Sequence, residues 1–154
     1  MWTDFQNGDA SAKQYAAKHM NDFRLIRAGK TRFMPEDGVE IHREFIANLK
    51  KWFETSLSGS RVVVTHHALV FNPKSQHLSS PLQPAFIAYD MREVIEKYAP
   101  DIWVYGHTHE CDFQTIGKTK VISNQLGYPQ KSGTYECSWA FDEYGYPVVI
   151  ESRL

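Results

Sequence analysis

The chain has 154 residues, a usual length for one domain and enough to bury a substantial core. The formal net charge of −1 argues against a nucleic-acid surface, and 42% hydrophobic with 23% charged residues is ordinary for a soluble globular protein. No apolar run approaches the roughly 20 residues that cross a bilayer. The two cysteines, Cys111 and Cys137, are too few for a disulfide scaffold. We therefore expect a single cytoplasmic domain over residues 1–154, with neither membrane nor nucleic acid as partner.

The first 60 residues are predicted to be mainly helical. The aromatic residues in Met1–Phe5 favour the end of a strand, and a helix is predicted over Ala10–Met20. Thr31–Gly38 contains Pro35 and Gly38 and is predicted to be a loop. Val39–Leu57 is predicted to be a long helix because its apolar residues recur at three- and four-residue steps: Ile41, Phe45, Ile46, Leu49, Trp52 and Phe53.

The remaining chain alternates strand and helix signals. Arg61–Thr65 and Ile102–Tyr105 are predicted to be buried strands. They are separated by a long loop over 68–88 and by a helix that Asp90 caps and that runs to Tyr98. Two β-hairpins are expected to follow, 111–116 with 119–123, and 135–141 with 147–152. This order predicts a mixed α/β (α+β) fold.

Each of the two buried strands ends in a pair of histidines. His66 and His67 follow Thr65, whereas His107 and His109 follow Gly106 and are separated by one residue. We expect Gly106 to let the chain turn sharply at the strand end. Because histidine clusters on rigid elements are typical of metal or catalytic sites, these four side chains are the candidate site.

Neutral imidazole binds zinc, iron(II), manganese(II), cobalt and nickel. In a His-x-His pair on a turn the two rings can diverge, so that each binds a different ion. Metal pairs about 3.5–4 Å apart occur in enzymes that cleave phosphoesters, where they generate a hydroxide and stabilise the leaving oxygen. Such a pair also needs carboxylate ligands to balance its charge.

The segments Val-Val-Val-Thr-His66-His67 and Val-Tyr-Gly-His107-Thr-His109 resemble the C-terminal half of the calcineurin-like metallophosphoesterase superfamily. Trp2-Thr3-Asp4-Phe5 and Met20-Asn21-Asp22-Phe23-Arg24 also look like the middle of such proteins, so the resemblance covers essentially the whole chain. It implies a partial four-layer αββα metallophosphoesterase sandwich whose N-terminal half is missing.

The resemblance also implies roles for the histidines. His66 and His107 would bind one divalent ion (Mn, Fe, Zn, Ni or Co), and His109 would bind a second. His67 is the predicted catalytic residue, either behind the ligands or facing the substrate. The family site holds two ions; we expect two, one or none here.

The N-terminal family motifs are absent. These are an Asp-x-His pair, a Gly-Asp-x-x-Asp bridge and an Asn-His pair, and the nearest segment, Gly8-Asp9-Ala-Ser-Ala12, lacks the second aspartate. The expected function is a metal-dependent phosphoesterase that cleaves phosphomonoesters or phosphodiesters by metal-bound hydroxide. Its missing ligands would come from another chain or from a lost N-terminal segment.

Two alternatives remain open. One is a catalytically incomplete family fragment that acts as a binding or self-associating protein, because loss of half a sandwich exposes sheet edges. The other is a zinc site of three histidines that hydrolyses alone. The other polar residues near the motifs are expected to have structural or solvent-facing positions. His42 is expected at the surface or boundary and His77 in a solvated loop. Asn72, Glu110 and Asn124 are expected in turns or caps.

Overall fold

The computed structural model describes residues 1–89, 91–125, 127, 140–141 and 146–148. Its helices are α1 (Phe5–Gly8), α2 (Ala10–His19), α3 (Asn21–Leu25), α4 (Pro35–Phe53), α5 (Gln83–Phe86) and α6 (Arg92–Tyr98). Its strands are β1 (Arg27–Ala28), β2 (Thr31–Arg32), β3 (Val62–Val64), β4 (Ile102–Val104), β5 (Asp112–Ile116), β6 (Thr119–Ser123), β7 (Ala140–Phe141) and β8 (Pro147–Val148).

A four-stranded sheet lies at the centre, in the order β3-β4-β6-β5. Strand β4 pairs in parallel with both β3 and β6, whereas β5 and β6 form an antiparallel hairpin. The prediction of a mixed α/β fold is therefore confirmed. The strands β7 and β8 also pair antiparallel, as expected for the last hairpin, although residues 135–139 and 149–152 lie outside the described residues.

One face of this sheet forms the main core. Val63, Trp103 and Val121 are in register across three strands, and none is more than 5% exposed. Leu49 and Phe53 of α4 belong to the same buried cluster, as does Ile95 of α6. The apolar stripe that predicted α4 thus packs against the row of β-branched and aromatic residues that predicted the strands.

Helix α4 begins and ends four residues earlier than predicted. Pro35 occupies its first turn, where a missing N–H and a preset φ are favourable, and the Asp37 carboxylate accepts from the N–H of Met34 at 2.8 Å. Proline and Gly38 were expected to keep this segment out of the helix, which is wrong. A Cβ at Gly38 would make only ordinary contacts with Trp2, at 3.6 Å or more, so the helix does not require glycine at this position.

The prediction of a strand end in Met1–Phe5 is also wrong. Phe5, Gln6 and Asn7 have φ values of 50°, 51° and 61°, which place them in the left-handed region. This turn buries Phe5 completely in a second core, together with Phe23, Phe33 and Val39. The burial of one large aromatic side chain compensates for a local backbone cost that the sequence pattern does not reveal.

The long loop after β3 is less irregular than expected. It contains helix α5, and Ala68 forms a parallel bridge with Ile87. Helix α6 ends at Tyr98 as predicted, but Asp90, its predicted cap, lies outside the described residues. Cys111 is half-buried, and Cys137 lies outside the described part. Among the helices described, none combines the length and apolar character needed to cross a membrane.

The alternation of burial in β3 is tested by comparing the same substitution, valine to alanine, at a buried position and at the exposed position next to it. Val63 is 5% exposed and Val64 is 70% exposed. We expect Val63→Ala to lower the free energy of unfolding by about 1–3 kcal/mol, because it leaves a cavity, and Val64→Ala by less than about 1 kcal/mol. Urea unfolding followed by tryptophan fluorescence measures both. Equal losses would contradict the assigned face of the strand.

Candidate metal centre

The parallel pairing of β3 with β4 brings the two histidine motifs together. Beyond the last paired residues, the N–H of Thr65 donates to the carbonyl of Val104 at 2.9 Å, and the N–H of Gly106 donates to the carbonyl of His66 at 2.9 Å. The carboxyl ends of parallel strands lie at the same edge of a sheet. His66 and His107 therefore become neighbours.

The two imidazoles are in direct contact. Nε2 of His66 and Nδ1 of His107 are 3.0 Å apart, and the ring centroids are 4.8 Å apart. Two nitrogens bound to one zinc ion at about 2.0–2.1 Å, in octahedral or tetrahedral geometry, lie about 3.0–3.4 Å from each other. The pair thus has the spacing of two ligands of one ion, or of two imidazoles that share a proton.

His67 lies behind this pair. His67 is 3% exposed. Its ring centroid lies 4.3 Å from the ring centroid of His107 and 5.2 Å from the ring centroid of Trp2. Its Nδ1 is hydrogen-bonded to the carbonyl of Met1, so Nδ1 carries the proton. His67 is not among the residues that line the adjacent cleft. Its catalytic role stays a prediction, and its burial favours the position behind the ligands over contact with substrate.

Two buried nitrogen atoms of the cluster have no hydrogen-bond partner. These are Nε2 of His67 and Nε2 of His107. In His67 this atom carries a lone pair, because the other nitrogen holds the proton. Buried polar atoms without partners are rare in folded proteins and often belong to functional sites. The cluster therefore presents unused imidazole nitrogen, which is the donor type that binds zinc and similar ions.

Burial keeps the two inner imidazoles uncharged. Loss of solvation, together with the neighbouring histidines, lowers the pKa of His67 to about 3 and that of His107 to about 4. Burial also lowers the pKa of the more exposed His66. Charging any one ring would place a cation beside the others in a poorly solvated site. Near neutral pH the rings are therefore in the form that binds metal ions.

The backbone of the second motif turns at its histidines. His107 and His109 have φ values of 71° and 57°, whereas Gly106 is not in the left-handed region. The expected reason for Gly106 is thus wrong, since a Cβ there would only make ordinary contacts of 3.5 Å or more with His66. A left-handed residue other than glycine costs about 1–3 kcal/mol and is typical of functional loops.

Gln125 holds this turn in place. Its Oε1 accepts from the N–H of His109 at 2.8 Å, and its Nε2 lies 2.8 Å from Oγ1 of Thr108 and 2.7 Å from Oγ of Ser123. These bonds tie the turn to the end of β6, next to β4 in the sheet. Gln125 was not among the residues predicted for the site, because no local pattern marks a glutamine that acts across the sheet.

The exposed side of the pair faces a cleft of about 840 Å³. His109 also lines the cleft, so the three predicted ligands border the same cavity. The walls come from the α2–α3 junction, the loop after β3 and the second histidine motif. The described lining residues are His19, Met20, Asn21, Asp22, His66, Gln76, His77, Leu82, Phe86, His107, Thr108 and His109.

The expectations for the other polar residues have mixed outcomes. His77 is half-buried and lines the cleft, and its Nε2 contacts the carbonyl of Thr108 at 2.9 Å, so the expected solvated position is wrong. His42 is buried, and its Nδ1 contacts the carbonyl of Trp2, so the expected surface position is wrong. Asn72 is a turn residue as expected, because its Oδ1 accepts from the N–H of Lys74.

The three predicted ligands do not complete a metal site by themselves. Within the described parts of the chain, no three His, Cys, Asp or Glu side chains are arranged so that they could hold an ion. His66 and His107 are adjacent, while His109 lies elsewhere on the same cleft. The assignment of His109 to a second ion stays a prediction.

Comparisons with known proteins give no independent support for a family. No family model matches the chain, and neither a curated protein nor a solved structure is significantly similar to it. The resemblance to metallophosphoesterases therefore remains a prediction that rests on the residues of the motifs.

The burial of His67 predicts a dependence of stability on pH. Its pKa of about 3 in the folded state lies below the unfolded value of 6.5, so acid favours the unfolded chain. The contribution of His67 to the free energy of unfolding is fully present above about pH 6.5 and is lost progressively as the pH falls towards 3. Between pH 7 and 5 this group alone removes about 2 kcal/mol of the free energy of unfolding.

His67→Phe should reduce the decrease in the free energy of unfolding between pH 7 and pH 5, because only the contribution of the buried His107 then remains. The measurement is urea unfolding of both proteins at pH 7 and pH 5, in which each protein at pH 7 provides its own baseline. The same acid-induced decrease in the variant as in the parent would contradict a neutral, buried His67.

Proposed function

We propose that the protein is a metal-dependent phosphoesterase whose reaction takes place in the cleft beside His66 and His107. The observation that carries this proposal is the contact of these two imidazoles, 3.0 Å apart, at the ends of adjacent parallel strands. The resemblance of both motifs to the calcineurin-like metallophosphoesterases supports the same chemistry. The finer αββα sandwich architecture belongs to this proposal as well.

The donor set fits a divalent ion in part. The rings are neutral near pH 7, and the 3.0 Å spacing of Nε2 of His66 and Nδ1 of His107 suits two ligands of one ion. Two nitrogens are fewer than the three protein ligands of catalytic zinc sites. Further ligands are needed, and we expect them from His109 after local movement or from the chain or segment that supplies the missing half.

A cation in this cleft would supply the positive charge that an anionic phosphoester needs for binding. None of the described residues that line the cleft is Lys or Arg, although a phosphoester is an anion. When bound, a divalent ion lowers the pKa of water and neutralises charge on the phosphoryl oxygens. His66 and His107 would hold the ion, and His67 would fix the ring of His107 by packing against it.

The cleft walls suit an ester with an organic group. Met20, Leu82 and Phe86 supply an apolar surface that excludes water from that group, while Asn21 and Gln76 offer amide donors for oxygen atoms. This division of apolar wall and polar donors is usual in small-molecule sites. It is compatible with phosphomonoesters and phosphodiesters.

The proposal predicts metal binding and turnover that depend on the histidine pair. Tag-free protein should contain divalent metal and hydrolyse a chromogenic phosphodiester with added Mn²⁺, and His66→Ala or His107→Ala should reduce turnover more than about 100-fold. His42→Gln is the matched control, because His42 is remote from the cleft lining and its contact to Trp2 can be replaced. A folded protein that is free of metal and inactive would overturn the enzyme proposal.

A second candidate function is association through the edge of the sheet. Strand β3 is the edge of the four-stranded sheet as described, and it exposes Val62 and Val64, which are 49% and 70% exposed. Unpaired edge strands with β-branched side chains pair readily with another chain. An added strand would end beside His66, where further ligands are needed.

This candidate predicts that a charge on the strand edge weakens self-association. Val64→Lys should shift any oligomer toward monomer, because a lysine on an edge strand opposes pairing. Leu57→Lys is the control, since Leu57 is 51% exposed but lies outside β3. Analytical ultracentrifugation over a concentration series measures the effect. A monomeric parent, or equal effects of both lysines, would count against association through this edge.

A further inference from the structure

A short β-hairpin away from the histidines carries a concentrated positive charge. Strands β1 and β2 pair antiparallel, and we call residues 24–32, which contain them, the basic hairpin. All of these residues are exposed. The segment has no Asp or Glu and has four basic residues, Arg24, Arg27, Lys30 and Arg32, so its charge is +4, whereas the whole chain has a formal net charge of −1.

The basic hairpin extends from a packed aromatic base. Phe23 and Phe33 flank it, are 1% and 6% exposed, and stack with their ring centroids 5.9 Å apart. The N–H of Phe33 donates to the carbonyl of Ile26 at 3.1 Å, which continues the strand pairing toward this base. Because both phenylalanines belong to the second core, the hairpin is held in place although its own side chains are in solvent.

Two of the basic side chains repel each other in the free protein. Arg27 lies directly opposite Arg32 in the hairpin, and like charges at such positions destabilise the pairing. Neither guanidinium forms a hydrogen bond or an ion pair with another residue in the described part of the chain. An anionic surface would relieve this repulsion, because it supplies negative charge to both side chains at once.

Exposed aliphatic side chains accompany these charges. Leu25 is 74% exposed, and Ile26 and Met34 are 40% and 41% exposed. Phe23 and Phe33 are buried, so the hairpin offers no aromatic ring on which a nucleic-acid base could stack. Neighbouring basic and aliphatic side chains fit a lipid interface, where cations meet the headgroups and aliphatic groups enter the acyl boundary.

We propose that the basic hairpin docks the protein on the surface of a membrane that contains anionic lipids. The three arginines and Lys30 contact the headgroups, and Leu25 enters the boundary with the acyl chains. This association is peripheral and needs no membrane-spanning helix. The net charge of −1 does not oppose it, because charges far from the hairpin are screened at physiological salt.

The charge contribution is tested by sedimentation of the full chain with vesicles. We expect binding to vesicles of phosphatidylcholine and phosphatidylserine, and no binding to phosphatidylcholine alone. Each basic residue near an anionic surface contributes about fivefold in affinity, so combining Arg27→Gln with Arg32→Gln should weaken binding about 25-fold. The double change Lys50→Gln and Lys51→Gln is the control, because it removes the same charge from exposed positions on α4.

The aliphatic contribution distinguishes a lipid surface from nucleic acid. Leu25→Ser should weaken binding to the mixed vesicles about tenfold, because the aliphatic side chain that leaves water on docking is lost. Leu57→Ser is the control, since Leu57 is 51% exposed but lies outside the hairpin, and it should leave vesicle binding unchanged.

Three outcomes would overturn the proposal. The first is a parent protein that stays in solution with the mixed vesicles, and the second is an equal loss of binding in the two double variants. The third is binding of a DNA or RNA oligonucleotide that is unaffected by Leu25→Ser, without binding to vesicles, which would assign the hairpin to nucleic acid. None of these outcomes bears on the histidine site, whose test is metal content and turnover.

Discussion

The parallel register of β3 and β4 is the constraint on which the candidate site depends. Val62, Val63 and Val64 pair with Ile102, Trp103 and Val104, and the hydrogen bonds continue to Thr65 and Gly106. Because this register ends both strands at the same level, His66 meets His107 with their nitrogens 3.0 Å apart. A shift by one residue would turn Val63 away from the core, so the packing that stabilises the sheet also fixes the site.

Desolvation gives the cluster its chemical character. His67 packs between Trp2 and His107, and burial is the main reason why both inner rings stay neutral near pH 7. A neutral cluster offers lone pairs but supplies no charge of its own.

The two candidate functions have a common structural cause. The sheet ends at β3 with two exposed valines, and the same strand leads into His66. An edge that can accept another strand therefore lies next to the imidazole pair that is proposed to hold a metal ion. Strand addition and metal binding can thus be linked, since a polypeptide that pairs with β3 in parallel would bring its carboxyl end to the imidazoles.

The sequence by itself determined the local elements: α4 from its apolar period, β3 and β4 from their β-branched runs, and the histidines that follow them. It also predicted that these histidines form one candidate site, because each of the two buried strands ends in a pair of them. Only the tertiary structure decided that Phe5 is buried by a left-handed turn, that His77 and Asp22 line the cleft, and that Gln125 holds the second motif. Periodicity and β-propensity act over neighbouring residues, whereas these features depend on contacts between segments far apart in the chain, which no local pattern records.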